Sequence, residues 1–177
     1  MRVPVRFIAL GLVPLAAALP MSKPRAAAPQ DQPAASIFYP LVGSWKGTGQ
    51  MAEAGQKPVN LALALSCVKA SAGHAVSCKM VANNKDMLMS ESDLFGVDPV
   101  TGKGHWYAVT NQGETHDHVA TWIDAKTMKA THSWSQGGKK MHETITMSLP
   151  TDKTMEFRGV VTADGKDASS FSGKLER

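Results

Sequence analysis

The stretch NLALALSCVKASAGHAVSCKMVA, Asn60 to Ala82, decides how this chain is read. Leu61, Leu63, Leu65 and Cys67 fall on every second residue, the period of a strand with one buried face. Ala72-Gly73 supplies a turn, and HAVSCKMVA resumes the alternation behind it. A turn centred there sets Cys67 opposite Cys78, so the pair is expected to form one structural cross-strand disulfide. These are the only two cysteines, and without a Cys-x-x-Cys spacing they speak weakly for zinc or redox chemistry.

Working outward, the same pattern continues along the chain. GSWKGTGQ precedes the hairpin, and MLMSESDLFGV, GHWYAVTN, THDHVATWI, KATHSWSQ, KMHETITMSL, MEFRGVVTA and ASSFSGKLE follow it. Between them lie turn residues such as Asp98-Pro99-Val100-Thr101-Gly102, Gln112-Gly113, Gly137-Gly138 and Asp164-Gly165. No segment of helical length carries a 3.6-residue period. The chain therefore reads as all-β, about ten strands in sequential order. A meander that long has edges to protect, and closure into an antiparallel up-and-down barrel removes them; a two-sheet sandwich is the rival.

The first residues have a different character. Arg2 and Arg6 precede an apolar run from Phe7 to Leu19, with small residues behind it, the layout of a secretory signal peptide. The run is too short to span a bilayer, and Pro4, Pro14 and Pro20 oppose a buried helix. Residues 1–28 are read as the signal, 29–37 as a disordered lead-in and 38–177 as the barrel domain, in a periplasmic or secreted protein. No cysteine lies near the cleavage region, which excludes lipid anchoring there, and no stable membrane insertion is expected after cleavage.

Export also changes the charge. Four of the 19 basic residues (Arg2, Arg6, Lys23 and Arg25) precede Asp31, leaving 15 against 15 acidic residues. The mature domain has no basic excess with which to neutralise phosphates, so nucleic-acid binding is not expected.

The turns estimate which side chains meet. Reading Gln112-Gly113 as a two-residue loop puts Val109 opposite His116, Tyr107 opposite His118 and His105 opposite Ala120. A second two-residue loop at Gly137-Gly138 puts Trp134 opposite Met141 and His132 opposite Glu143. Aligning the two hairpins across Asp124–Thr127 gathers one face bearing His105, Tyr107, His116, His118 and Trp122, together with His132, Trp134 and Glu143. A mixed lining of this kind, with adaptable methionines, suits a cavity for a small, mostly apolar molecule: the apolar wall binds and a few polar groups orient. Mutual satisfaction of these groups in a packed barrel is the plain alternative.

His116, His118 and His132, or His105 in place of His132, have the spacing of a three-histidine zinc site. With no acidic second shell legible, no cofactor is assigned, and zinc and haem remain minority readings. Glu91 and Asp93 share a face of MSESDLF, a pairing that acid/base work also uses, but are read as solvated. No nucleophile elbow or phosphate loop appears. A metal-assisted or acid/base enzyme built on the histidines and Glu143 is thus the alternative to a non-catalytic binding barrel.

Phe38 to Gln50, FYPLVGSWKGTGQ, contains Gly43-Ser44-Trp45, which resembles the Gly-x-Trp opening of lipocalin-like (calycin) barrels. In those proteins the tryptophan plugs one end, and the resemblance adds Trp45 to the candidate ligand-contacting residues. DLFGVDPVTGKGHWYAVTNQGETHDHVATW further resembles the exported bacterial proteins of the DUF1579 group, in its Asp-Pro-x-Thr-Gly turn and Gly-Glu-x-His-Asp-His segment. This resemblance runs from about Leu41 to the end of the chain. It implies a lipocalin-like barrel and no settled activity. Leu41 to Gly49 is also similar to the opening segment of nitrobindin-like haem barrels, though no histidine of this chain is assigned to their proximal position.

Overall fold

A computed structural model describes residues 34–177 of the chain. The signal-peptide reading of residues 1–28 lies outside the described residues. The expected disordered lead-in lies outside them up to residue 33; from Ala34 the chain is a 3-10 helix, Ala34–Leu41, with Ala35 and Phe38 buried. No helix among the described residues is long and apolar enough to cross a membrane.

Ten antiparallel strands follow: β1 (Gly43–Glu53), β2 (Val59–Ala70), β3 (Ala75–Asn83), β4 (Leu88–Val97), β5 (Gly104–Thr110), β6 (Thr115–Trp122), β7 (Thr127–Gln136), β8 (Lys139–Thr151), β9 (Thr154–Ala163) and β10 (Lys166–Glu176). Each pairs with its sequence neighbour, and β1 pairs with β10, closing the sheet into an up-and-down barrel. Closure leaves no strand edge unpaired, the reason a long meander prefers it to an open sheet. Cys67 lies opposite Cys78 in the β2–β3 ladder, and their sulfurs are bonded.

One end of the barrel is plugged. Trp45 is fully buried there, and its indole N–H donates to the Leu41 carbonyl at 2.8 Å. The Arg177 guanidinium lies 4.3 Å from the centre of the Trp45 ring while its Nη1 donates to the Val42 carbonyl. Phe38, brought in by the short helix, packs on Phe95 and Trp122 with ring centres 5.4 and 6.3 Å away. A polar end of the chain is thereby used to cover an apolar floor.

Two hairpin loops set the faces of the strands around the histidines. Gly137-Gly138 is the expected two-residue loop, both glycines having positive φ, and it sets His132 opposite Glu143 and Trp134 opposite Met141. The β5–β6 loop is one residue longer than expected. Thr110 pairs with Glu114, leaving Asn111-Gln112-Gly113 as a three-residue loop with Gly113 at φ +84°. His116 therefore lies opposite Ala108, and His118 opposite Trp106. A one-residue slip exchanges the two faces of a strand, so His105, Tyr107 and Val109 point outward while Trp106 and Ala108 point inward.

Candidate functional site

The interior holds an apolar cavity of about 190 Å³. Leu61, Leu63 and Leu65 of β2, Met80 of β3, Phe95 of β4, Ile145 and Met147 of β8, and Phe157 and Phe171 of β9 and β10 form most of its wall. Glu91 and Asp93, Trp106, His116 and His118, and Glu143 bring ionisable and indole groups to the β4–β5–β6–β8 side, while Gln50 of β1 and Ser172 of β10 add polar groups elsewhere on the wall.

Glu143 is the centre of this group. It is 6% exposed, and its Oε2 accepts from His118 Nε2 at 2.7 Å and from His116 Nδ1 at 3.3 Å. Burial pushes the Glu143 carboxyl up, but the two hydrogen bonds and the charge of the imidazoles outweigh it and hold the group at about 2. The same bond raises His116. His118 is 2% exposed, and its other nitrogen, Nδ1, donates to the Trp106 carbonyl at 3.3 Å.

A second pair stands beside it. Asp93 is 5% exposed and accepts from the Trp106 indole N–H at 2.7 Å. Burial raises both Asp93 and Glu91; Glu91, which also hydrogen-bonds to Asp93 and feels the charges of Asp93 and Glu143, is pushed up to about 9. Two carboxyls in a dry site cannot both ionise cheaply, and the indole donor favours charge on Asp93. The proton of the pair therefore resides on Glu91.

The reading of Glu91 and Asp93 as solvated is overturned. Strand β4 carries apolar residues on both faces (Met89, Phe95 and Val97 against Leu88 and Leu94), so the sequence offered no parity for it; the pairing of β4 with β3 and β5 decides it. His105 and Tyr107 are likewise corrected from interior to exterior: Tyr107 is 46% exposed, and His105 Nδ1 donates to Asp117 Oδ1 on the outer face at 3.1 Å. Trp106, which sequence reasoning passed over, takes their place inside.

The remaining candidates share the inward face of their strands without lining the cavity. Trp45 and Trp122 belong to the plugged end. His132 and Trp134 stack on each other, ring centres 5.2 Å apart, and His132 stacks on His116 at the same distance. The β6–β7 ladder runs only from Trp122 opposite Met128 to Val119 opposite Thr131, and the histidines lie beyond it. There His132 Nδ1 donates to the Asp117 carbonyl at 3.0 Å, and desolvation lowers its pKa. The three groups whose potential ligand atoms lie within 4.8 Å of one another are therefore His116, His118 and Glu143, with the carboxylate where His132 was expected.

No family model matches the chain, and no curated protein matches it in sequence. Solved structures do share its fold. Rv2717c from M. tuberculosis superposes with a TM-score of 0.62 at 16% identity, over 82% of this chain and 97% of that one. An S-type phycobiliprotein lyase from Guillardia theta gives 0.58 at 10% identity, over 80% and 90%. A protein of unknown function of the DUF3598 family from Nostoc punctiforme gives 0.56 at 11% identity, over 80% of this chain and 48% of that protein. The chain has a lipocalin-like barrel fold.

Proposed function

We propose that this protein is an exported barrel that binds a small, mostly apolar molecule in its interior without transforming it. The observation that carries the reading is the cavity itself: a leucine, methionine and phenylalanine wall with its ionisable groups on β4, β6 and β8 and the loop before β6. An apolar cavity of about 150 Å³ is enough for a benzene-sized molecule, so this one suits a modest ring or short chain with one polar end. A lyase acting on phycobiliproteins among the proteins of similar fold supports a barrel that handles small molecules. The leader-like N-terminus and the disulfide support export.

The test is titration of the purified protein with an environment-sensitive apolar fluorophore, alongside Ala108→Phe. Ala108 is buried and lines the cavity, so the added ring is expected to abolish probe binding while the circular dichroism spectrum is kept. Equal binding by both proteins would place the probe on the surface and end the reading. Mass spectrometry of organic extracts from the export compartment's own protein then identifies the natural occupant.

A second reading, acid/base catalysis, is favoured by Glu91, a protonated carboxyl on the cavity wall at neutral pH. An extracted molecule that the protein alters chemically, with the change lost in Glu91→Gln, would replace the first reading.

A further inference from the structure

The charge of the cavity wall is lopsided. Glu91, Asp93, Glu114 and Glu143 line it, and among the described residues no lysine or arginine does. Buried carboxylates are costly unless they are paired or hydrogen-bonded; here two imidazoles answer Glu143 and the Trp106 indole N–H answers Asp93.

The donors beside Glu143 are arranged for more than an ion pair. His116 and His118 are two residues apart on β6 and so share its inward face. Both direct a ring nitrogen at one oxygen, Glu143 Oε2, delivered from β8. Ligand atoms bound at about 2.0–2.2 Å around one tetrahedral cation lie roughly 3.3–3.6 Å apart; the 3.3 Å contact already has that spacing, and the 2.7 Å contact opens by somewhat under 1 Å to reach it. His118 turns its Nδ1 to the Trp106 carbonyl, which orients the ring and leaves Nε2 as the coordinating nitrogen. Trp106 is in turn held by Asp93. This is the outer support that metal-ligating histidines use, built from residues on β4 and β5.

We propose that His116, His118 and Glu143 form a site for one divalent cation of the zinc class, with its remaining coordination positions open to the cavity. Two imidazoles and one carboxylate suit zinc and its first-row neighbours rather than calcium or magnesium, which prefer all-oxygen ligands. Three protein ligands are the number that leaves a position for water or a ligand's polar end. His132 is not assigned as a ligand, because the ligand atoms that lie within 4.8 Å of one another are those of His116, His118 and Glu143.

The experiment uses full-length protein purified without an affinity tag, stripped with a chelator, and titrated with Zn²⁺ against a chromophoric competitor. Co²⁺ absorption reads the coordination directly. One ion per chain is expected, with the intense visible bands of a low-coordinate cobalt site. Glu143→Gln and His116→Ala should each weaken binding beyond the ~10–100-fold typical of an outer-support change, while His132→Ala stays within about threefold. The His116 side chain is 21% exposed, so its truncation decides the matter if Glu143→Gln fails to fold.

Binding that survives in Glu143→Gln but vanishes in His132→Ala overturns the assigned ligand set. Absence of a stoichiometric ion in the wild type overturns the site altogether, and uptake of an organic ammonium probe in its place would assign the acidic wall to that chemistry. The apolar-probe titration is read separately on the same samples. Metal without probe binding refutes the apolar-ligand reading alone, and probe without metal refutes this one alone.

Discussion

Glu91→Gln tests the electrostatic account of the cavity wall most directly. The Glu91 carboxyl ordinarily ionises near 4.5, and in the folded protein it is pushed up to about 9, first by burial and then by Asp93 and Glu143. Folding at neutral pH therefore takes up a proton that the unfolded chain does not carry. A group with a raised folded pKa contributes stability in full below its unfolded value and loses it as pH rises toward the folded one. The loss is about 1.4 kcal/mol per pH unit, which makes about 3 kcal/mol between 4.5 and 7. Glutamine keeps the shape and can still donate to Asp93, but never ionises. The variant should match the wild type near pH 4.5, exceed it by about 3 kcal/mol at pH 7, and gain further toward pH 8.5. The assay is denaturant unfolding at those three pH values with chelator present and the disulfide intact. His116 and the other titrating groups are common to both proteins and cancel in the difference. A difference that does not change with pH would mean that Glu91 is ionised in the fold, and the assignment of the shared proton would be wrong.

Other consequences are smaller and more local. Replacing Cys67 and Cys78 together by Ala opens a loop of sequence separation 11, and chain entropy puts the cost at about 3 kcal/mol in the unfolding midpoint; equal stability of the reduced and oxidised wild type would contradict it. Trp106→Phe strips the buried Asp93 of its indole donor, a loss of about 1.5–3 kcal/mol at neutral pH by the same measurement, and a neutral effect would mean that another donor serves Asp93. Arg177→Ala removes the guanidinium from the Trp45 face and from the Val42 carbonyl, for which roughly 1 kcal/mol of destabilisation and a red-shifted Trp emission are expected; unaltered emission would show that the plug holds without it.

What the sequence by itself determined was the strand period and the number of turns, and so an all-β meander for which a closed barrel was the expected form; the pairing of β1 with β10 decided it against a sandwich. Local alternation and turn composition are properties of neighbouring residues, as Leu61, Leu63, Leu65 and Cys67 show, and the Cys67–Cys78 pairing followed from one turn centre. Gly137-Gly138 was legible for the same reason, since two glycines at positive φ define a two-residue loop and its register. The site was legible only in part. His116, His118 and Glu143 could be placed on inward faces, but whether a loop holds two residues or three depends on where the flanking strands bond, and Asn111-Gln112-Gly113 moved His105 and Tyr107 to the outside. On β4, apolar residues occupy both faces, so only pairing with β3 and β5 turned Glu91 and Asp93 inward. The convergence of one carboxylate with two imidazoles, rather than a third histidine, was decided where β6 and β7 cease to pair and Glu143 reaches in from β8. Such contacts join residues more than twenty positions apart, and no local pattern in a chain encodes them.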